Sequence, residues 1–575
     1  MRCVFLWLAL LLGCDSRVTL APPKGGGGQG GAGGDGAGGQ LPLPCSGLEL
    51  AGAWLTYGVQ DGDFCVLHAL DASDPARAPV ALLRAGPHLE SRVWSRDGRS
   101  LAYTYYDGDW KDHDVLLATF DESGLTENVS VASDVNLTDG AYNRGLPAVH
   151  WACDSQSLAF GASSPGGSRS GSLGVLRPND GSSWSREVEG PPRLATTSAD
   201  GASLFFSIDQ GLYWASVGAG GIEQPLLVGA GVLPHDGDVN FATRPQWLSD
   251  QRGFVYGNVD QQLVLVTLTA GAPEVSALTA VGRLGPGGTP GYIGGSEYDF
   301  AVHPPDAGAV FVGRDEALDI YWVGFAGAPP IDLSGPDRGA DSFVASPVGD
   351  AVAVFSEDDG VLTVAHAGEA PEQLSVDLGA VNGTAAEWSS DGEYLLIWAF
   401  DDVGAPRHWL VPYQAGAGPA HGVGAPIEIT GAQSMRSVPG ARGIVTVDAG
   451  STLRFLPFVP EGLGTSVALS AEAHHPIGSW ISPDGEGVLY LNESSGVRSL
   501  YWASLEDPGA LPVLVGSRPD LESRAAISPD GSGYWVSAKA ASDVLPRLLV
   551  GEIVDGSPTP PVEVTRSMCE LPEWR

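Results

Sequence analysis

An all-β fold made of many short, similar modules is predicted by three observations. The 575-residue chain carries 80 Gly and 43 Pro but only 17% charged residues, a composition rich in turns and poor in the amphipathic patterns of long helices. The stretch Gly478-Ser479-Trp480-Ile481-Ser482-Pro483-Asp484-Gly485-Glu486-Gly487-Val488-Leu489-Tyr490-Leu491 alternates bulky residues on both sides of Ser-Pro-Asp-Gly, as the two strands of a β-hairpin do. The same stretch recurs in worn form along most of the chain, at spacings of roughly 40 to 57 residues, the size of a four-stranded propeller blade.

Taken in order, Met1-Arg2 is a short basic start, followed by an apolar run from Val4 to Leu12 and then Gly13-Cys14. The run is too short to span a bilayer, so residues 1–13 read as a signal peptide. Leu11-Leu12-Gly13-Cys14 resembles the bacterial lipobox, and the resemblance implies that Cys14 becomes the lipidated first residue of the mature chain. Residues 14–44 follow as a tether, since Gly25 to Gly39 is almost entirely Gly with Gln, Ala and Asp and cannot bury apolar area. A coil of this kind would hold the folded part on the order of 30 Å from a membrane. It is not a phosphate loop, because it lacks Gly-Lys-Ser/Thr. The expected location is the bacterial cell envelope, lipid-anchored and either periplasmic or surface-exposed.

From Cys45 onward the chain is long enough for one or two large β assemblies. The formal charge of the whole sequence, −39, argues against nucleic acid as a partner, because such binding needs a basic patch. It suits an ion-rich space in which salt screens self-repulsion.

The module turns fall at Asp97, Asp154, Asp200, Asp250, Asp306, Gly349, Asp391, Gly440, Asp484 and Asp530. In the fullest copies Pro presets φ, Asp can bond nearby amides and Gly takes the φ > 0 position. Asp97, Asp391, Asp484, Gly485, Asp530 and Gly531 are therefore read as structural turn residues; carboxylates repeated in most modules do not describe one active site. Third strands carry aromatic pairs, as in Leu212-Tyr213-Trp214 and Leu500-Tyr501-Trp502, and runs such as Val513-Leu514-Val515 suit outer strands. Ala53 to Tyr57 with Phe64 to Leu67 forms a module without its first strand, which brings the number to eleven. One ring usually holds about four to eight blades, so two tandem propellers are predicted, 45–285 and 292–575, divided at the Gly/Pro-rich segment Arg283 to Gly291. One large ring is the alternative.

The Trp/Ser/Pro/Asp/Gly turn with its following apolar strand resembles the TolB-like, WD-related β-propeller repeat of bacterial envelope proteins. The resemblance covers nearly all of the chain beyond the tether and implies a binding habit, since this repeat serves scaffolds, sensors and gating modules. No separate amino-terminal α/β domain and no appended hydrolase domain accompany it.

Chemical motifs are sparse. There is no Gly-x-Ser-x-Gly, no His-Glu-x-x-His and no Cys-x-x-Cys, the signatures of an α/β-hydrolase nucleophile or a zinc site. His474-His475 reads as loop or blade edge. Asp107, Asp109, Asp112 and Asp114 could offer oxygen ligands to Ca²⁺, although the spacing is not that of an EF-hand and a solvated turn is the preferred reading; no cofactor is otherwise expected. Trp94, Trp151, Trp247, Trp388 and Trp480 read as one blade position that packs neighbouring blades together.

Of six cysteines, the lipobox resemblance implies that Cys3 leaves with the signal and Cys14 is acylated, which would leave Cys45, Cys65, Cys153 and Cys569 to form disulfides. The carboxy-terminal segment Met568 to Trp574 has no blade of its own and could supply the strand that the first module lacks, which places Cys569 near Cys45 and leaves Cys65 with Cys153. Two functions follow. One is a non-catalytic binding or scaffold lipoprotein that engages an envelope protein, peptide or glycan through a propeller surface. The alternative is a propeller hydrolase or lyase with a site at the channel mouth.

Overall fold

In the computed structural model of the chain the described residues run from Trp54 to Trp574 with interruptions, the longest of them 136–148, 232–244 and 285–299. The signal peptide and tether, 1–44, the Ca²⁺ candidates Asp107, Asp109 and Asp112, and Cys14, Cys45 and Cys153 lie outside the described residues. Among those described, every regular element is a β-strand, and no helix is long and apolar enough to cross a membrane.

The strands form eleven antiparallel sheets, or blades, of four strands each, four of them with a split outer strand. In ten blades the inner, second, third and outer strands follow one another along the chain. Blade 10 is an example: Pro476–Ile481, Gly487–Ser494, Val497–Ser504 and Val513–Arg518. Blade 1 differs. Its second to outer strands are Trp54–Asp61, Phe64–Asp71 and Val80–Ala85, while its inner strand is Met568–Trp574 from the far end of the chain. That strand pairs antiparallel with Trp54–Asp61, Leu55 opposite Trp574 and Val59 opposite Met568.

Both faces of each sheet are apolar because each is covered by a neighbour. Eleven clusters of buried side chains fill the gaps, and each straddles two consecutive blades. Trp54 and Leu67 of blade 1 meet Tyr103 and Leu116 of blade 2. Phe205 of blade 4 meets Phe254 of blade 5, their rings 4.8 Å apart and edge-on. Val255 and Leu265 of blade 5 meet Phe300 and Phe311 of blade 6. Trp535, Leu548 and Val550 of blade 11 meet Leu55 and Tyr57 of blade 1.

This order corrects the two-ring expectation. Two rings would require blade 5 to close on blade 1 and blade 11 on blade 6. Instead blade 5 packs on blade 6 and blade 11 on blade 1, so the core is one cycle of eleven interfaces. The Gln246 side chain fastens the step between blades 5 and 6. Its Nε2 donates to the Phe300 carbonyl at 3.0 Å, and the Val302 amide donates to its Oε1 at 2.9 Å. Leu284, at the start of the Gly/Pro-rich segment, forms a β-bridge with Gly313 of blade 6. The composition of that segment does not say which apolar faces pack on either side of it.

Candidate functional site

The inner strands form the innermost edge of every blade, and each has two ends. At the end where an inner strand turns into the second strand, the repeated motif builds one hydrogen-bond network. In blade 10 the Ser482 hydroxyl donates to Asp484 Oδ1 at 2.6 Å and accepts the Gly487 amide at 2.9 Å, while Asp484 Oδ1 also accepts the Glu486 amide at 2.9 Å. The Ser-to-Asp bond recurs between Ser95 and Asp97, Ser198 and Asp200, Ser389 and Asp391, and Ser528 and Asp530, at 2.6 to 2.7 Å. These serines are buried or nearly so, so each needs its partner. Gly485 and Gly531 have φ of 71° and 75°, a region that glycine enters without strain. A Cβ on Gly485 would stand 2.5 Å from the Pro439 carbonyl of blade 9, and one on Gly531 would stand 3.3 Å from the Asp484 carboxylate. The turns therefore lie side by side, and their carboxylates are occupied in holding turns.

The tryptophans divide into two sets. Trp151, Trp247 and Trp388 donate their indole N–H to the inner strand of the preceding blade, at the Val93 carbonyl (2.9 Å), Thr196 Oγ1 (2.6 Å) and the Val344 carbonyl (3.0 Å). Trp94 likewise packs towards the preceding blade. Trp480 does not share this position. Ile481 stands between it and the turn Ser482, and a one-residue step in a strand reverses the face. Trp480 consequently packs with blade 11, whereas Ile481 fills the Trp position against blade 9.

At the opposite end of the inner strands the register breaks. Bulges interrupt the pairing between inner and second strand in blades 1, 2, 4, 8, 9, 10 and 11. In blade 9 the extra residue is Gln433, in blade 10 it is Ile477, and in blade 11 the irregular stretch is Glu522-Ser523-Arg524. A bulge leaves its residue unpaired and turns the side chain out of the pleat. Gln433, Ile477, Ser523 and Arg524 are exposed and Glu522 is half-exposed, so this end presents a different chemistry in each of these three blades. Sequence reading missed it; the only available signal was the break in alternation at Ala432-Gln433-Ser434 and Leu521 to Arg524.

The histidines serve packing. His474 Nδ1 lies 2.9 Å from the hydroxyl of buried Tyr490, and its ring is 4.3 Å from that of Tyr501. Burial lowers the pKa of His474 and raises that of Tyr490, so both stay neutral at pH 7. His475 lies outside the described residues. His408 is buried in blade 8 with Nδ1 unpartnered, and desolvation lowers its pKa against the opposing bond to the Ala432 backbone. Among the described residues no group of three or more His, Cys, Asp or Glu is placed to hold a metal ion. Asp114 is half-buried in His113–Asp121. Cys65 is buried and disulfide-bonded; Cys569 lies in the closing strand, its side chain outside the description.

No known protein family and no curated protein matches the chain. A solved structure described as "Crystal structure of the eukaryotic initiation factor" is 10% identical, with a TM-score of 0.43 over 91% of this chain and 98% of that one. The structure of "Dihydro-heme d1 dehydrogenase NirN in complex with DHE" is 13% identical, with a TM-score of 0.32 over 67% of this chain and 75% of that one. Neither likeness carries information about activity.

Proposed function

We propose that this chain is a TolB-like, envelope-anchored lipoprotein without catalytic activity, held by lipid on Cys14 and a Gly-rich tether, that binds an envelope protein, peptide or glycan at the bulged end of its inner strands. The observation that supports this reading is the contrast between the two ends. One repeats the same Ser-Asp bond from blade to blade, while the other sets exposed Gln433, Ile477 and Ser523 at corresponding places in successive blades. Repetition is what a scaffold needs, and variation is what recognition needs.

The test has two parts. Cys14→Ala should move the protein from the membrane to the soluble fraction; a variant that still sediments with membranes ends the anchor reading. Partner capture from envelope extract should be lost in Ile477→Asp and Gln433→Trp with melting temperature unchanged, and kept in Asp484→Ala with melting temperature lowered. The reverse pattern would move the site to the turns.

A further inference from the structure

Cys65 is buried and disulfide-bonded, and its place in the ring is set by strand pairing. It lies opposite Gln60 in blade 1. The Gln60 amide donates to the carbonyl of Ser567 at 2.8 Å, and Ser567 is the residue before the inner strand Met568–Trp574. Inner strands begin at the bulged end, and in blade 1 the register breaks between Gly58 and Val59, beside Gln60. Cys65 therefore sits at the bulged end.

Sheet order limits its partner. Blade 1 runs Val80–Ala85, Phe64–Asp71, Trp54–Asp61, Met568–Trp574, so a whole strand separates the strand of Cys65 from that of Cys569. Neighbouring strands are about 4.8 Å apart, which sets those two about 10 Å apart, whereas a disulfide joins Cα atoms no more than about 7 Å apart. The closing strand is out of reach. Cys153 follows Ala152 in the turn after Val149–Trp151 of blade 3, at the turn end, and blade 2 stands between. What remains is the chain ahead of Trp54, with Cys3, Cys14 and Cys45. If Cys3 leaves with the signal and Cys14 carries lipid, the partner is Cys45. The chain from Cys45 to Trp54 can reach about 30 Å. Trp54 lies about 20 Å along the sheet from Gln60 and hence from Cys65, so the span is covered.

We propose that a Cys45–Cys65 disulfide ties the end of the tether to the bulged end of blade 1, so that this end of the ring, with its binding surface, faces the membrane and meets partners held there. This rests on the lipid anchor at Cys14 and on the bulged end as the binding surface. Bond formation takes two protons and two electrons from the two thiols and passes them to a disulfide-bearing oxidant of the envelope, which is reduced to a dithiol. Without the bond the folded part would hang from Trp54, at the turn end, and a flexible coil would let either end approach the lipid. With it, the roughly 30 residues from Cys14 to Cys45 hold the bulged end on the order of 30 Å from the bilayer.

Non-reducing peptide mapping of the full chain should return the peptides of Cys45 and Cys65 joined. Cys65 joined to Cys569 or Cys153, or alkylated without prior reduction, overturns the proposal. Orientation is read on lipid vesicles by energy transfer to a headgroup-labelled lipid. The donor dye is clicked onto a non-natural residue replacing either Ser495, exposed between the second and third strands of blade 10 at the bulged end, or Ala510, exposed between its third and outer strands at the turn end. Transfer should be higher from position 495, and the difference should shrink in Cys45→Ser. Equal transfer from both, or higher transfer from position 510, overturns the proposal. If Cys14→Ala still sediments with membranes, the anchor falls and the orientation with it. If Cys14→Ala is released but the map joins Cys65 elsewhere, the anchor stands and the orientation falls.

Discussion

The two ends of the inner strands are made by the same chain segments under opposite constraints. At the turn end, neighbouring blades touch so closely that Gly485 has no room for a methyl group, and five blades converge on the same serine and aspartate. At the bulged end the pairing is interrupted, side chains face outward, and Gln433, Ile477 and Arg524 differ in size, polarity and charge. Repeated residues in this fold therefore report stability, and a site has to be sought where the repeat fails.

The comparison can be broken or sharpened by measurement. Gly485→Val combines the clash with Pro439 and a strained φ, so it should cost about 2 to 4 kcal/mol in denaturant unfolding; an unchanged midpoint would show that the turns are not packed as described. Asp484→Ala should cost about 1 to 3 kcal/mol, because it removes the acceptor of the Ser482 hydroxyl at 2.6 Å and releases the Glu486 amide. A ligand-binding loss without that cost would make Asp484 a site residue. His408 tests the body of the blade, between the two ends. Its pKa is lowered by burial, so its contribution to stability is complete above the ordinary histidine pKa and declines as pH falls through that value. Melting temperature should drop on acidification below about pH 6.5, and less so in His408→Gln; an identical pH profile for the two proteins would remove this residue from the account. Trp388→Phe should lose about 1 kcal/mol with its bond to Val344, and Trp480→Phe, which makes no such bond among the described residues, should lose less. Ser523→Ala at the bulged end should stay within about 0.5 kcal/mol; a larger loss would mean that this end too is structural.

Much of the fold was legible in the sequence because turn chemistry is local. Ser-Pro-Asp-Gly specifies a hairpin without reference to anything distant, and ten such turns, with one truncated module, give the eleven sheets observed. Ring closure was not legible in the same way. Whether blade 5 meets blade 6 or blade 1 depends on which apolar faces fit, and Val255 with Phe311 is a contact between modules that each look self-sufficient in sequence. The position of Trp480 was misread because a motif is aligned by its residue type, whereas the pleat counts residues, and one step reverses the face. At the candidate site the turn aspartates were legible as structure. The bulged residues were not, because a bulge is defined by a partner strand and Gln433 alone gives no sign of it.

The strand exchange in blade 1 also sets a timetable. Trp54–Asp61 acquires its inner partner only when Met568–Trp574 arrives, about 510 residues later in synthesis. Until then ten blades can form from local hairpins, but the assembly is an open arc with two bare flanks, Leu55 and Tyr57 at one and Trp535 and Leu548 at the other. Such an intermediate exposes apolar surface and an unpaired edge together, the combination that invites association between copies. Closure of the ring cannot precede the arrival of Met568–Trp574, and a chain halted before Met568 would be left with both flanks open to a second copy.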